Sequence, residues 1–241
     1  MSQKLKRTFR KSGDSPCHPY ILRLAFTGNA TKLINGQTLH SVFHFRFDDK
    51  ILSMSDKQRD KVRTSLQNLK VIIIDEISLV KSDMLYQLHF RLAREIMQRP
   101  DLPFGGVSVI LLGDLLQIRP VNGKFVFQAP NNKELELTHM MDSLWEKFEV
   151  ITLKTNHRQG EDKPYADLLN RVRFGEQTVE DFNLLRTRVF MKDSDEIPKN
   201  ALMVTGTNAK VIQFNPDRLN EIDSPLEILT ATVYNDTKGI F

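Results

Sequence analysis

Short apolar runs alternate along the chain with longer stretches that have helical periodicity. The runs have the length of β-strands, and polar residues bound each of them: Ile21–Phe26, Val71–Ile74, Val107–Leu112 and Val150–Leu153. This alternation is typical of βαβ units, in which helices cover a sheet of parallel strands. The pattern therefore predicts an α/β fold built on a parallel sheet.

Helical spacing is clearest in two segments. In "SDMLYQLHFRLAREIM", apolar residues recur every three or four positions behind Ser82 or Asp83, and either of these two residues can cap the helix. The prolines that follow are expected to close it. "KPYADLLNRVRFGE" has the same spacing, with Pro164 at its start and Gly175 at its end.

The second half of the chain continues with similar elements. Thr178 and Asp181 have the spacing of a capping box, and "ALMVTGTNAKVIQFN" predicts a strand, a turn and a helix. We therefore expect one domain over residues 1–152 and the beginning of a second α/β domain over residues 153–241.

Polar residues follow two of the predicted strands directly. Asp75 and Glu76 come after "VIII", and Gly113, Asp114 and Gln117 come after "VSVILL". In a parallel sheet, the positions just past the carboxyl ends of the strands face the crevice where ligands bind. We expect these residues to share one rim of the sheet.

Phosphoryl transfer from a nucleotide suits this set of side chains. Asp75 can hold Mg²⁺, Glu76 can orient an attacking water, and Gln117 can sense the terminal phosphate. Two alternatives stay open. The acidic pair can simply end a buried strand, and a two-metal nuclease also uses clustered acids, although it needs further acids or histidines and leaves Gln117 without a role.

Composition narrows the class of protein. The chain of 241 residues, 40% of them hydrophobic, can bury the core of one large domain or two smaller ones. No apolar stretch is long enough to span a membrane, so no membrane partner is expected. Cys17 is the single cysteine, which excludes an internal disulfide and a multi-cysteine zinc site. The net charge of +4 favours an anionic partner only mildly.

Four segments together resemble the petite-integration-frequency (Pif) helicases and their helitron-transposon relatives. They occur in the family's order, from about residue 22 to about residue 220: "FTGNATKLINGQTLHSVFHF", "VIIIDEISLV", "PFGGVSVILLGDLLQIRPV" and "LKTNHRQGEDKPYADLLNRVRFGE". Members are RecD-like, superfamily-one motors that unwind DNA 5′ to 3′. The resemblance implies RecA-like domains, ATP and Mg²⁺ as cofactors, single-stranded DNA and DNA junctions as partners, and a monomeric protein of the nucleus or the mitochondrion.

The resemblance also implies roles for the residues of the nucleotide site. Asp75 matches the magnesium-binding acid and Glu76 the acid that activates water. Gln117 lies in the motif that couples the terminal phosphate to the DNA groove. Arg158, in "NHRQ", matches an arginine that reaches the terminal phosphate from the second motor domain. Without the resemblance, a lone arginine beside a helix is more often part of a surface ion pair.

A second set of residues matches the family's contact with the single strand. Thr27 and Gly28, followed by Gly36, Thr38 and His40, occupy this segment. A histidine in such a turn is about as often a local hydrogen-bonding residue.

Three phenylalanines follow in "VFHFRF". Phe43, Phe45 and Phe47 alternate with polar and basic residues and could stack on bases, although the alternation favours an ordinary half-buried strand.

The sequence departs from the family pattern in one respect that matters for chemistry. A nucleotide motor needs a glycine-rich loop of the form G-x-x-x-x-G-K-[ST], whose backbone amides and lysine cradle the phosphates, and the 241 residues contain none. The resemblance implies that this loop lies before Met1 or has been lost, and that the later motifs of the second domain lie beyond Phe241. We do not expect this stretch alone to unwind DNA; the alternative to an incomplete helicase is a transposon-derived remnant that binds single strands without turnover.

Overall fold

The computed structural model describes Phe9 and residues 18–46, 53–130, 144–160, 162–191, 194, 196–198, 201–222, 224 and 227. The chain divides into two compact units, residues 1–162 and residues 163–241. Compact units need not coincide with domains, so the domain boundary expected after residue 152 stays a prediction.

A parallel sheet of four strands forms the centre of the first unit. The strands are β1 (Ile21–Ala25), β2 (Gln37–Thr38), β3 (Val71–Asp75) and β4 (Ser108–Leu111). Their order is β2-β1-β3-β4, and every pairing is parallel. The predicted parallel α/β architecture is therefore confirmed.

Helices connect these strands. In the first unit they are α1 (Gly28–Ile34), α2 (Leu39–Phe43), α3 (Asp56–Leu66) and α4 (Ser82–Phe90), and α4 continues as a π-helix over Arg91–Ile96. Short 3₁₀ turns cover Ile77–Leu79, Pro103–Gly106 and Trp145–Lys147. The second unit contains α5 (Lys163–Phe174), α6 (Val179–Arg186) and α7 (Asn208–Asn220). Among the described residues, no helix is long and apolar enough to cross a membrane.

Burial on both faces explains the continuous apolar run of β3. Ile72 and Ile74 are fully buried in the main core, on the face that α4 covers. Val71 and Ile73 point to the other face and pack in a smaller cluster with Ile21. Each such side chain contributes about 1.5–3 kcal/mol when it leaves water. Central strands of this kind read as unbroken apolar runs because neither face is exposed to solvent.

Two predicted strands are wrong. Residues 150–153 and 201–205 are neither helical nor paired in a sheet, and their apolar side chains are exposed, as in Leu153 (89%) and Leu202 (88%). Their apolar content and β-branched residues favour a strand. A strand also needs a neighbour that pairs with its backbone, and the described residues provide none for these segments.

The predicted caps of α4 are also wrong. The helix begins at Ser82, and Lys81 is the capping residue, with an extended backbone and no side-chain hydrogen bond to the helix. An isolated antiparallel bridge between Lys81 and Phe125 fixes this extended conformation. The helix ends before Pro100, as predicted.

Neither interpretation of the alternating phenylalanines holds. Phe43 ends α2 and is fully buried, and Phe45 is 5% exposed just after that helix. Their rings stack on each other in the main core, with centroids 5.9 Å apart. They are therefore core residues and not a surface for bases; Phe47 lies outside the described residues.

An ion pair links two helices of the second unit. Nε of Arg171 in α5 donates to Oδ2 of Asp181 in α6, and Nη2 donates to Oδ1, both at 2.6 Å. Asp181 is buried and completes the predicted capping box with Thr178, whose N–H donates to Oδ2 at 2.9 Å. The hydrogen bonds from Arg171, and next the one from the Thr178 backbone, hold the pKa of Asp181 well below its usual range.

This pair makes the second unit sensitive to acid. A carboxyl group with a lowered pKa stabilises the folded state above its unfolded pKa of about 3.9, and this contribution disappears as the pH falls through the lower folded value. We expect Asp181→Asn to speed amide hydrogen exchange in residues 171–186 at pH 7 and to abolish most of the acid dependence of that exchange. Glu221→Gln, which breaks the exposed pair of Glu221 with Arg218, is the matched control and should change neither. Equal exchange in both variants would contradict this role of Asp181.

Candidate nucleotide and single-strand site

The parallel register brings the ends of the strands to one edge of the sheet. Thr38 of β2 lies opposite Ala25 of β1, and Ala25 lies opposite Asp75 of β3. On the other side of β3, Leu112 donates its N–H to the carbonyl oxygen of Ile74 at 2.8 Å. The residues that follow all four strands therefore share this edge.

The second of the two acids at the end of β3 has a left-handed backbone conformation. Glu76 has φ 55° and ψ 50°, a conformation that non-glycine residues rarely adopt and that costs roughly 1–2 kcal/mol. Its N–H donates to Oδ1 of Asp75 at 3.0 Å. This turn ends the strand and directs the chain into the 3₁₀ turn at Ile77. Local strain of this kind clusters at functional sites.

Gly113 packs directly against the acidic pair. Its φ is +144°, and a Cβ at this position would lie 2.8 Å from the backbone nitrogen of Ile77. The N–H of Ile77 donates to the carbonyl oxygen of Leu112 at 3.0 Å. The residues after β4 are thus in backbone contact with Glu76 and Ile77, with no room for a side chain between them.

A tight turn follows Gly113 and presents Gln117. Oδ1 of Asp114 accepts from the N–H of Leu116 at 3.0 Å, and its carbonyl oxygen accepts from the N–H of Gln117 at 3.1 Å. Gln117 itself is exposed. Asp114 therefore shapes the turn, while the amide of Gln117 is accessible to a ligand.

The segment after β1 contains the first predicted contacts for a single strand. Thr27 caps α1, its Oγ1 accepting from the N–H of Ala30 at 3.3 Å. Gly28 begins the helix and has no atom within 4 Å of where a Cβ would be. Gly36 differs, since a Cβ there would overlap the carbonyl oxygen of Arg23. Packing against β1 thus requires glycine at position 36.

Thr38 and His40 lie at the start of α2. Oγ1 of Thr38 accepts from the N–H of Ser41 at 3.1 Å and caps the helix. The half-buried ring of His40 makes edge contacts with Phe26 and Phe45, with centroids 5.6 and 6.2 Å away. These two rings fix the orientation of the imidazole beside the strand ends.

Arg158 is not part of this arrangement. It lies in an exposed segment, where its backbone N–H donates to Oδ1 of Asn156 at 2.9 Å. No hydrogen bond or ion pair joins its guanidinium to Asp75, Glu76 or Gln117, all of which the structure describes. Its expected contact with the terminal phosphate stays a prediction.

The carboxylate of Asp75 suits a magnesium ion that a nucleotide brings with it. Within the described ranges, no three side chains of His, Cys, Asp or Glu are grouped closely enough to hold a metal. Mg²⁺ commonly needs only one or two carboxylates when substrate phosphates supply further oxygens. The additional acids or histidines of a two-metal nuclease are not found near Asp75 in this part of the chain.

One feature of the site was missed from the sequence. The segment after Gln117 is anchored to the start of α4, where the N–H of Ser82 donates to the carbonyl oxygen of Lys124 at 3.2 Å. A Cβ on Gly123 would lie 2.6 Å from Cγ of Lys81. The Asn-Gly pair in "VNGK" is a turn signal that could have indicated this anchor.

Comparison with known families shows to which protein family this chain belongs. The model of the PIF1-like helicases matches residues 7–182, which is most of the chain and includes the whole edge just described. The chain belongs to the PIF1-like helicase family. The resemblance seen in the sequence motifs is thereby confirmed.

Curated relatives cover most of this chain but are much longer. The ATP-dependent DNA helicase PIF1 of Saccharomyces cerevisiae (strain YJM789) is 28% identical over 221 residues, which are 86% of this chain and 23% of the yeast protein. The ATP-dependent DNA helicase Pif1 of Bdellovibrio bacteriovorus is 29% identical over 231 residues, 89% of this chain and 46% of that protein. The chain thus spans less than half the length of these PIF1-like relatives.

Solved structures of the family share the fold. The Pif1 helicase from Bacteroides in complex with ADP-AlF3 and ssDNA has a TM-score of 0.62 and 26% identity, over 92% of this chain and 51% of that one. The Pif1 helicase from Candida albicans has a TM-score of 0.67 and 25% identity, over 93% of this chain and 47% of that one. The RecA-like fold expected of the PIF1-like family is confirmed.

The contact at Gly113 makes a steric prediction. Gly113→Ala places a methyl group against the backbone of Ile77, so the end of β4 has to separate from the acidic pair. We expect it to lower the free energy of unfolding by about 1–3 kcal/mol more than Gly160→Ala does. Gly160 also has a positive φ, +55°, but open space around it, so it controls for a positive φ without a clash; the φ of +144° at Gly113 adds a backbone cost of its own to the difference. Urea denaturation of the first unit would measure both, and equal losses would show that the close contact is unimportant.

Proposed function

We propose that this chain is the nucleotide- and strand-contacting part of an ATP-dependent 5′-to-3′ DNA helicase. The observation that supports it most directly is the shared edge, where the backbone of Glu76 and Ile77, directly after Asp75, packs against Gly113, and where β1 and β2 also end. Membership of the PIF1-like family supports the assignment of ATP and single-stranded DNA as the ligands of this edge. The whole protein's activity is part of the proposal, because the chain spans only part of its relatives.

Each residue of the edge has a distinct task in ATP hydrolysis. Asp75 would hold the magnesium ion of the nucleotide, and the ion would supply positive charge against the phosphates. Glu76 accepts a hydrogen bond from the attacking water and orients it in line with the terminal phosphate. Gln117 donates its amide N–H to the terminal phosphate, and Arg158, which lies outside the edge, reaches that phosphate on ATP binding and stabilises its negative charge.

The same edge links the nucleotide to DNA. Thr27, Gly28, Thr38 and His40 contact the single-stranded DNA. Thr27 and Gly28 follow β1, which is the neighbour of β3, while Thr38 ends β2 and His40 comes two residues later. Gln117 lies in the turn after Gly113, and Gly113 packs against the backbone that follows the two acids at the end of β3. Loss of the terminal phosphate can therefore change the affinity for DNA, because the residues that contact the phosphate and the DNA lie at the ends of neighbouring β-strands in one sheet.

Broader aspects of the proposal come from the family. The two compact units correspond to a first RecA-like domain and the beginning of a second. DNA junctions are included among the substrates, the protein acts as a monomer, and it works in the nucleus or the mitochondrion. Its roles are in telomere maintenance, recombination and repair.

A second candidate is a protein that binds single-stranded DNA without turnover. The observation in its favour is that the 241 residues contain no G-x-x-x-x-G-K-[ST] loop. Backbone amides and a lysine are the main anchor of ATP phosphates, and Asp75 alone cannot replace them. In this case DNA affinity would fall with salt and would not respond to ATP.

A chimera separates the two candidates. A segment that carries the phosphate loop of a PIF1-like helicase is joined ahead of residue 18, and ATP hydrolysis is measured with and without single-stranded DNA. We expect stimulated hydrolysis, and Glu76→Gln should lower it by about 10²–10⁴-fold, because the water loses its general base.

The control and the binding measurement complete this test. Glu149→Gln removes an exposed acid without a predicted role and should leave hydrolysis unchanged. A folded chimera that binds single-stranded DNA but hydrolyses no ATP would contradict the motor and support binding without turnover. A chain that binds no single-stranded DNA at all would contradict both candidates.

A further inference from the structure

Phe26 lies at the edge of the sheet but has no task in the proposed mechanism. It follows the last residue of β1 and precedes Thr27, which caps α1. Its side chain is half-buried and packs against the main core. Phe26 is therefore the sequence neighbour of the first contact proposed for single-stranded DNA.

The ring of Phe26 also touches a second proposed contact, His40. The ring centroids of Phe26 and His40 are 5.6 Å apart, and their planes meet at 73°. Phe45 contacts His40 in the same manner, at 6.2 Å and 83°. Edge-to-face geometry at these distances is favourable for aromatic rings and restricts their relative orientation. The imidazole of His40 thus touches one buried ring, Phe45, and one half-buried ring, Phe26.

The backbone at His40 is fixed by residues other than Phe26. Thr38 caps α2, and Leu39 and Phe43 of this helix are buried in the main core. These residues can hold α2 in place when the ring of Phe26 is removed. Loss of that ring should therefore release the side chain of His40 and leave the helix folded.

We propose that Phe26 is a positioning residue for single-stranded DNA, whose ring holds the imidazole of His40 in the orientation that contacts the DNA. The inference rests on the proposed function, in which His40 makes this contact. Because Phe26 also precedes Thr27, it connects the contacts after β1 with those at the start of α2. The two segments then present their side chains to the DNA as one preorganised surface.

Preorganisation of His40 predicts a loss of affinity without a loss of folding. A side chain that is free before binding has to be ordered when the DNA binds, and this ordering lowers the affinity by roughly 2- to 10-fold. Phe26→Leu keeps an apolar side chain but removes the ring, so it should weaken binding by this factor. Phe26→Tyr keeps the ring and should retain the wild-type affinity.

Fluorescence anisotropy of a labelled oligothymidylate, on the whole 241-residue chain, measures these affinities. The decisive variant combines Phe26→Leu with His40→Ala in a double-mutant cycle. If Phe26 acts through His40, Phe26→Leu should weaken binding in the wild-type background and have no further effect when residue 40 is already alanine. A purely structural role of Phe26 would weaken binding by the same factor in both backgrounds.

Phe148→Leu is the matched control. Phe148 is also half-buried and packs against the main core, but its ring contacts Phe104 and Trp145. This substitution should lower the midpoint of urea denaturation, as Phe26→Leu does, and leave the DNA affinity of the folded chain unchanged. Phe26→Met, which also lacks the ring, repeats the test if Phe26→Leu does not fold.

The outcomes distinguish this inference from the proposed function. If the wild-type chain binds the oligonucleotide and Phe26→Leu has no effect, or the same effect in both backgrounds, the positioning role is overturned and the proposed function stands. If His40→Ala binds as tightly as the wild type, the inference fails together with the contact at His40, while the other proposed contacts remain. A wild-type chain that binds no oligonucleotide would contradict the proposed function itself.

Discussion

Parallel pairing of β1, β3 and β4 is the constraint on which the rest of this structure depends. The central strand is buried on both faces, so a shift in register would place its apolar side chains in new surroundings at a large cost in free energy. With the register fixed, the carboxyl ends of the strands have to meet at one edge. The acidic pair, the Gly113 turn and the residues after β1 are neighbours for this reason, although up to about 90 positions separate them in the sequence.

Much of this arrangement could be predicted from the sequence, because it depends on local patterns. The apolar runs before Asp75 and Gly113 indicated strands of a parallel sheet, and that topology alone places their ends together. The capping box at Thr178 and the helix end at Gly175 follow equally local rules of backbone geometry. The family motifs added the expected roles of the side chains.

Other features depend on contacts that a sequence pattern does not specify. Apolar residues 150–153 look like a strand, but pairing requires a partner whose presence cannot be read from the segment itself. The phenylalanines at 43 and 45 alternate as in a strand, yet the helix that ends at Phe43 and the stacking of the two rings place both in the core. The left-handed backbone of Glu76 could not be predicted from the sequence either, since a glutamate gives no signal for a positive φ.

The absence of a side chain at Gly113 has a mechanical consequence. The backbone of Gly113 packs against the backbone of Glu76 and Ile77, so the turn after β3 and the turn after β4 are in direct contact. Any change in twist between β3 and β4 would alter the spacing of these two turns directly, without an intervening side chain to absorb it. Under the function proposed above, the geometry of hydrolysis would therefore depend on the shape of the sheet itself, and the sheet would be a mechanical element as well as a scaffold.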